Sequence, residues 1–282
     1  MVKLTVFNAY NNAKKQLAKA GIESYAFEAR QIIRHITGYT NSEIMARYNE
    51  HLTPFQQTIY NNILERRAER YPLQYILGEW SFYGLDFYVG EGVLVPRPDT
   101  EILVDTALEF LKEKQNPQVL DLCSGSGCIA VAVAKNSSAQ VDAVEKYEIP
   151  FGYLKKNIER NNAAVNPVMG DLFELEITKK YDLIVSNPPY ISAAEMETVS
   201  PETAFEPDAA LYGGEDGLLF YRIIANKWAG ALKGGGMLAV EIGANQADAV
   251  KEIFTNAGFE NIGVKKDYAG IQRVIFGTVK NL

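Results

Sequence analysis

A chain of 282 residues, 47% of them hydrophobic and 22% charged, has ordinary globular composition and is long enough for two domains. Its 28 basic and 35 acidic residues leave a net charge of −7, which argues against a nucleic-acid backbone as the main partner, because neutralising phosphates needs a basic surface. The first residues lack the pattern of a signal peptide and no apolar run reaches about 18 residues, so a cytoplasmic location without a membrane span is expected. Cys123 and Cys128 with the distant His35 and His51 make a poor zinc set, so no metal is expected and the thiols read as small buried groups.

From the start to about Tyr71 the periodicity is helical. Phe7, Tyr10, Ala13, Leu17 and Ala20 recur at three- and four-residue spacing and Gly21 follows as a stop. Ser24 is placed to cap a second helix with Tyr25, Ala29, Ile32, Ile33 and Ile36 on one face, ended by Gly38. Thr53 and Pro54 open another, with Phe55, Ile59 and Ile63 on its apolar face. Trp80 and Phe82, then Phe87 and Val89, alternate around Tyr83-Gly84-Leu85-Asp86, a hairpin signature. Two prolines hold Arg97 extended, where it can form a structural salt bridge or touch a ligand, and Asp99 is suited to cap the helix of Leu103, Ala107, Leu108 and Leu111.

Beyond Pro117, strands and helices alternate. Strands are expected at 119–122, 141–145, 165–169, 183–186, 237–242 and 272–276, which makes an α/β fold with a mostly parallel sheet covered on both faces. The expected domains are a helical one at 1–71, a hairpin linker at 72–98 and an α/β domain at 99–282.

The chemistry gathers at the carboxyl ends of these strands. Asp121 ends the first, and Gly125-Ser126-Gly127 lets the backbone approach a ligand at the start of the next helix. Glu145 ends the second strand, 24 residues on, where a carboxylate can accept from both ribose hydroxyls. Ala130 stands where a dinucleotide fingerprint has its third glycine, so the loop by itself suits either NAD or S-adenosylmethionine. Asp171, past the third strand, can accept from an adenine amino group, and three carboxylates on successive strand ends point to an adenosine cofactor. After the fourth strand comes Asn187-Pro188-Pro189-Tyr190. The asparagine side chain can grip a planar NH2 group, the prolines stiffen the turn and leave the Pro188 carbonyl as an acceptor, and Tyr190 offers a stacking face.

Pro72-Leu73-Gln74-Tyr75-Ile76-Leu77-Gly78, Val95-Pro96-Arg97-Pro98-Asp99-Thr100-Glu101, the 121–128 loop and Ser186-Asn187-Pro188-Pro189-Tyr190-Ile191 together resemble the PrmC (HemK) family. Phe205-Glu206-Pro207, Gly213 to Leu218, Glu241-Ile242-Gly243 and Lys266 to Gly270 extend the resemblance to about Phe276. It implies a Rossmann-like class I methyltransferase that uses S-adenosylmethionine to methylate the side-chain amide nitrogen of the glutamine in the Gly-Gly-Gln motif of peptide-chain release factors. Asp121, Gly125, Gly127, Glu145 and Asp171, with Asn187 beside them, would then hold the cofactor. Asn187, Pro188, Pro189 and Tyr190, with Arg97, would bind the substrate, and Asn187, Pro188 and Tyr190 would carry the catalysis. Glu145 replaces the family's usual aspartate and so reaches one methylene further. The helical N-terminal region would help to recognise the release factor.

Two neighbouring activities share the 187–190 tetrapeptide. One methylates a glutamine on a ribosomal large-subunit protein; the intact 95–98 stretch and the helical N-terminus favour release factors. The other methylates adenine N6 in DNA, where the tetrapeptide grips a flipped base. A charge of −7 speaks against it and against stable nucleic-acid binding. An NAD-dependent oxidoreductase would share the glycine loop and leave residues 187–190 without a task.

Overall fold

The computed structural model describes residues 4–281. The chain folds as two compact units, one running to Glu79 and including Ser200–Phe205, the other made of Trp80–Val199 and the described residues from Glu206 on.

The first unit is helical. Its elements are α1 (Val6–Lys19), α2 (Tyr25–Thr37), α3 (Asn41–Ala46), α4 (Pro54–Ala68) and α5 (Leu73–Leu77). Capping boxes fix two of the starts: Thr40 with Glu43 for α3, and Thr53 with Gln56 for α4, which also has Pro54 in its first turn. Gly38 ends α2 in the left-handed region, at φ 72°. Ser24 precedes α2 without capping its backbone; its hydroxyl donates to the Glu28 carboxylate instead. On α1 the buried stripe is Val6, Ala9, Ala13 and Leu17: Ala13 and Leu17 are as expected, but Val6 and Ala9 take the places expected of Phe7 and Tyr10, and Phe7 is exposed. On α4 Phe55 is likewise exposed, and Tyr60, Ile63 and Leu64 are buried. In both helices the apolar residues outnumber one stripe, and periodicity cannot say which of two overlapping stripes meets a neighbour. Arg67 is buried and donates to Glu28 at 2.6 Å and to Glu202 at 2.9 Å; Arg70 holds the second Glu202 oxygen at 2.8 Å. Phe205 packs edge-on against Tyr71. Through these contacts a stretch from far down the chain becomes part of the helical core.

The hairpin of β1 (Glu79–Phe82) and β2 (Leu85–Tyr88) turns at Tyr83 and Gly84, both at positive φ, and buries Phe82 and Phe87. Next come α6 (Glu101–Leu111), β3 (Gln118–Leu122), α7 (Cys128–Asn136), β4 (Gln140–Glu145), α8 (Glu148–Asn161), β5 (Val165–Met169) and β6 (Tyr181–Ser186). The chain finishes with α9 (Ala193–Met196), α10 (Leu219–Lys227), β7 (Leu232–Glu241), α11 (Ala247–Asn256), β8 (Glu260–Lys266) and β9 (Gln272–Thr278). Asp99 does not cap α6. It lies within a 3-10 turn at Pro98–Thr100, and its carboxylate pairs with Arg273 at 2.8 Å.

Seven strands form one sheet in the order β5-β4-β3-β6-β7-β9-β8, parallel except that β9 runs antiparallel between β7 and β8. Alternation sends Val119, Ala143, Leu183 and Ala239 to one face beneath α6, α7 and α8, and Leu120, Leu122, Ile184 and Val240 to the other beneath α10 and α11. Each such Leu or Ile contributes about 1.5–3 kcal/mol on burial, and truncating Ile184 to Ala would cost about 2–5 kcal/mol. Strand β8 is not among the expected ones: Gly263 and two irregularities of register in its pairing with β9 interrupt its alternation. The winding reverses at β3, between β4 and β6, and that opens a crevice beyond the carboxyl ends of the strands.

Candidate active site

At the end of β3 the backbone turns sharply. Cys123 takes φ 60°, and the Ser124 amide crosses to the Val144 carbonyl at 3.0 Å. A non-glycine residue in that region costs about 1–2 kcal/mol, so the turn is held by what surrounds it. Gly125 has φ 54° and open space where a Cβ would stand; Gly127 has φ 80° with Leu154 Cδ1 2.4 Å from such an atom. The loop therefore faces open space at Gly125 and is packed shut at Gly127, where α7 begins.

Glu145 sits at the tip of β4, nearly buried. Its Oε2 accepts from the Gly125 amide and its Oε1 from the Tyr147 amide, both at 2.9 Å. Burial pushes its pKa up, against the pull of these N–H groups. Asp121 lies under the loop, wholly buried, where Oδ2 accepts from Ala130 N at 3.2 Å and Oδ1 has no partner among the described residues. Burial raises its pKa to about 7. Asp171 is bound on both sides: Oδ1 accepts from Phe173 N at 2.9 Å and Oδ2 meets Lys146 Nζ at 2.8 Å. Burial works to raise its pKa, but the lysine and the amide outweigh it and hold the carboxyl below its usual range.

One strand over, β6 delivers Asn187, whose Nδ2 donates to the Thr100 hydroxyl at 3.4 Å. The backbone that follows is braced from a distance. Gln246 Nε2 donates to the Tyr190 carbonyl at 2.9 Å while its Oε1 accepts from Gly243 N at 2.9 Å and from the Tyr221 hydroxyl at 3.2 Å. A Cβ on Gly213 would lie 2.6 Å from Tyr190 Cα, so the loop packs on bare backbone there. Tyr190 is largely buried and its phenol is pushed up by burial first, then by the Glu241 charge. Arg97 pairs with the buried Glu206, which also accepts from Val95 N at 3.0 Å.

These parts surround a cavity of about 480 Å³, within the range of small-molecule sites. Gly125, Glu145, Asp171, Asn187, Pro189 and Arg97 line it, together with Tyr147, Ile149, Leu172 and Phe173 as apolar walls; Asp121, Gly127, Pro188 and Tyr190 stand behind the lining. Cys123 and Cys128 also line it as free thiols, the latter raised by burial to about 12. Polar acceptors at Glu145 and Asp171, the apolar walls and the open Gly125 backbone fit an adenosyl group. Sequence reasoning missed Thr100, Glu206 and Gln246 as parts of this site, and also Asn157, which is fully buried and ties the Ser126 carbonyl to the Tyr88 backbone. Most of their partners lie dozens of residues away, so the local sequence does not show what they hold.

Known proteins resemble this chain in sequence and fold. Residues 8–78 match the family description "PrmC N-terminal domain" and residues 99–254 match "Methyltransferase small domain". Over 265 residues the chain is 41% identical to the release factor glutamine methyltransferase of Geobacter sulfurreducens, covering 93% of each. Over 253 residues it is 42% identical to that of Thermodesulfovibrio yellowstonii, covering 88% of this chain and 90% of the relative. A solved methyltransferase from Pyrococcus furiosus shares the fold, with a TM-score of 0.54 at 22% identity over 71% of this chain and 91% of that one. With identity at this level along nearly the whole length, the chain belongs to the release factor glutamine methyltransferase family.

Proposed function

We propose that this protein transfers a methyl group to the side-chain amide nitrogen of the glutamine in the Gly-Gly-Gln motif of a peptide-chain release factor. The observation that carries the reading is Asn187 on the wall of the same cavity that Gly125 and Glu145 line. S-adenosylmethionine, held by Gly125, Glu145 and Asp171 with Asp121 and Gly127 shaping the loop beneath, supplies an activated methyl group there. The remaining work is positioning. An amide nitrogen is a poor nucleophile because its lone pair is delocalised into the carbonyl. Asn187 Oδ1 and the Pro188 carbonyl accept its two N–H bonds, which raises electron density on nitrogen and fixes its direction. Tyr190 and Pro189 stiffen this clamp, and Arg97, anchored by Glu206, borders the substrate side. No strong base is needed, since the methylated, still-protonated amide gives its proton to water. His35 and His51 both lie in the helical unit that runs to Glu79 and takes in Ser200–Phe205, and we assign release-factor docking to the 1–71 stretch within it, with 72–98 as the linker and 99–282 as the transferase.

A release-factor substrate places the protein in the cytoplasm, and among the described residues no helix is long and apolar enough to cross a membrane. The test is to incubate the protein with methyl-labelled S-adenosylmethionine and, separately, release factor, release factor with the motif glutamine changed to alanine, ribosomal large-subunit protein, and duplex DNA. Label on the first alone is expected; label on the ribosomal protein or DNA instead would overturn the assignment.

A further inference from the structure

The last two strands carry the chain past the carboxyl edge of the sheet. Ser186, which precedes Asn187, is paired with Val240 of β7, and Glu241 at the end of β7 is paired with Val274 of β9. The Ile242 amide then donates to the Arg273 carbonyl at 2.8 Å. Because β9 is antiparallel to β7, the residues before Val274 run on beyond the end of β7, and the turn of the β8–β9 hairpin projects from the same edge as the cavity. Strands β6 and β9 are two strand spacings apart, about 10 Å. The hairpin lies on the opposite side of β6 from β3, β4 and β5, beyond whose ends stand Gly125, Glu145 and Asp171.

The turn is a rigid mount for one side chain. Asp267 Oδ1 accepts from the amides of Ala269 and Ile271, both at 2.9 Å. The Asp267 amide donates to the Ile271 carbonyl at 2.8 Å, and the Gly270 amide, at φ 85°, donates back to the Asp267 carbonyl at 3.0 Å. Asp267 Oδ2 accepts from Arg273 Nε at 2.9 Å, and Arg273 Nη2 reaches Asp99 at 2.8 Å. Asp99 stands in the short turn between Arg97 and Thr100, both on the cavity wall, so the foot of the hairpin is fastened to the rim. What the turn holds out is Tyr268, fully exposed, with the exposed Ile271 close by in the chain. A single exposed aromatic is ordinary on a protein surface. This one is carried on a closely bonded turn that an ion pair ties to the cavity rim, and the packing of the fold gains nothing from its ring.

We infer that Tyr268 is a docking point for the release-factor backbone that flanks the methylated glutamine, its ring lying on the bare peptide and CH2 groups of the adjacent glycines. The inference rests on the release-factor reading above, including the assignment of the cofactor to Gly125, Glu145 and Asp171. With the methyl donor filling the β3 to β5 side of Asn187, only the glutamine side chain enters the cavity. Its backbone stays outside, on the side that the cofactor leaves open, and the β8–β9 hairpin is the part of the sheet edge that stands there. Glycines offer no side chain to grip, so recognition beside the glutamine falls to flat groups that can lie on a peptide plane. A tyrosine ring supplies that area and loses little conformational entropy in doing so.

The experiment uses the full chain with labelled S-adenosylmethionine and intact release factor. Tyr268→Ala should raise the KM for release factor about five- to tenfold, the scale of losing one interfacial aromatic, with kcat within about twofold of the parent. The cofactor Kd by calorimetry and the melting temperature should not move, since the ring touches neither the cavity nor the core. Tyr268→Phe keeps the ring and should stay near the parent. A second measurement locates the contact: a photoreactive benzophenone side chain placed at position 268 should crosslink to release factor within a few residues of the motif glutamine. A KM for the alanine variant within about twofold of the parent, or a loss of kcat or of melting temperature in place of the KM change, would overturn the inference. So would a crosslink confined to a distant part of the factor. Absence of release-factor methylation by the unaltered protein would instead defeat the reading beneath it.

Discussion

Two neighbouring rims of one sheet edge are built on opposite plans. At the β3 and β4 ends, the loop is braced by carboxylates from the same stretch of chain: Glu145 takes the amides of Gly125, 20 residues back, and of Tyr147, and Asp121 takes that of Ala130, 9 residues on. At the β6 end, Asn187 and Tyr190 are held by Thr100 and Gln246, which are 87 and 56 residues away in the chain. The first rim forms from one continuous stretch of chain, β3 through α8, once β3 and β4 have paired. The second exists only once the whole domain has folded, so its precision depends on tertiary packing.

Each plan breaks differently. At the second rim, Asn187→Ala removes the acceptor on which the substrate amide depends, and kcat should drop by roughly 10²–10³, about 2.7–4 kcal/mol, with cofactor affinity nearly unchanged. Asn187→Asp keeps the shape and an acceptor for the substrate amide while losing the donor to Thr100, and should retain more activity than Asn187→Ala. Steady-state kinetics beside a calorimetric Kd checks both, and turnover near that of the parent in a folded Asn187→Ala protein would sink the clamp.

At the first rim the loss should appear in binding. Glu145→Ala takes away the brace of the Gly125 amide along with the acceptor for the ribose, so S-adenosylmethionine should bind about 1.5–3 kcal/mol more weakly while the bound enzyme keeps most of its kcat. An unchanged Kd would put the ribose elsewhere. Gly213→Ala then sharpens the contrast. Its methyl would press on Tyr190 Cα and Pro189 O from 2.6 and 2.7 Å, backbone atoms that cannot rotate away, and should cost about 1–3 kcal/mol of stability or of kcat. A melting curve and a rate measured on the same sample show which, and neither changing would mean that the loop has slack.

The same difference explains what the sequence made legible. The alternating strands, Glu145 on a strand end and the 125–127 turn follow from periodicity and glycine placement, and Thr53-Pro54 announced a helix start that the structure shows as a capping box. Asp99 looked like a cap because its type and position fit one, yet the chain is already helical there and the carboxylate goes to Arg273, a strand away. Phe7 and Phe55 looked buried because side-chain chemistry, without the neighbouring helix, does not fix which stripe is covered. Thr100 and Glu206 lie in stretches that carry the family resemblance, but neither those stretches nor the sequence around Gln246 shows what each side chain holds. Their roles arise where elements meet, and one chain read in order does not show the meeting.

The smallest effect concerns Asp121, the buried member of the first rim. Its folded pKa of about 7 lies well above the ordinary aspartate value, chiefly through burial, with the nearby Glu145 charge adding to it and Ser124 and the Ala130 amide opposing. The native state thus keeps a proton that the unfolded chain releases near pH 4. The stability tied to that proton is fully present below about pH 4, is lost progressively as pH rises, and stops changing once the pH has passed about 7. Asp142 and Asp182, lowered by Lys179 and Lys233 against the opposing effect of burial, contribute with the opposite sign, so the pH dependence of the parent alone would not isolate Asp121. Asp121→Asn removes this one titration and keeps an acceptor for the Ala130 amide. Its melting temperature relative to the parent should therefore rise between about pH 5 and pH 8, by an amount on the order of 1–2 kcal/mol or a few degrees. A gap that stays constant across that range would mean that Asp121 titrates normally, and the first rim would then rest on an ionised carboxylate beneath its loop.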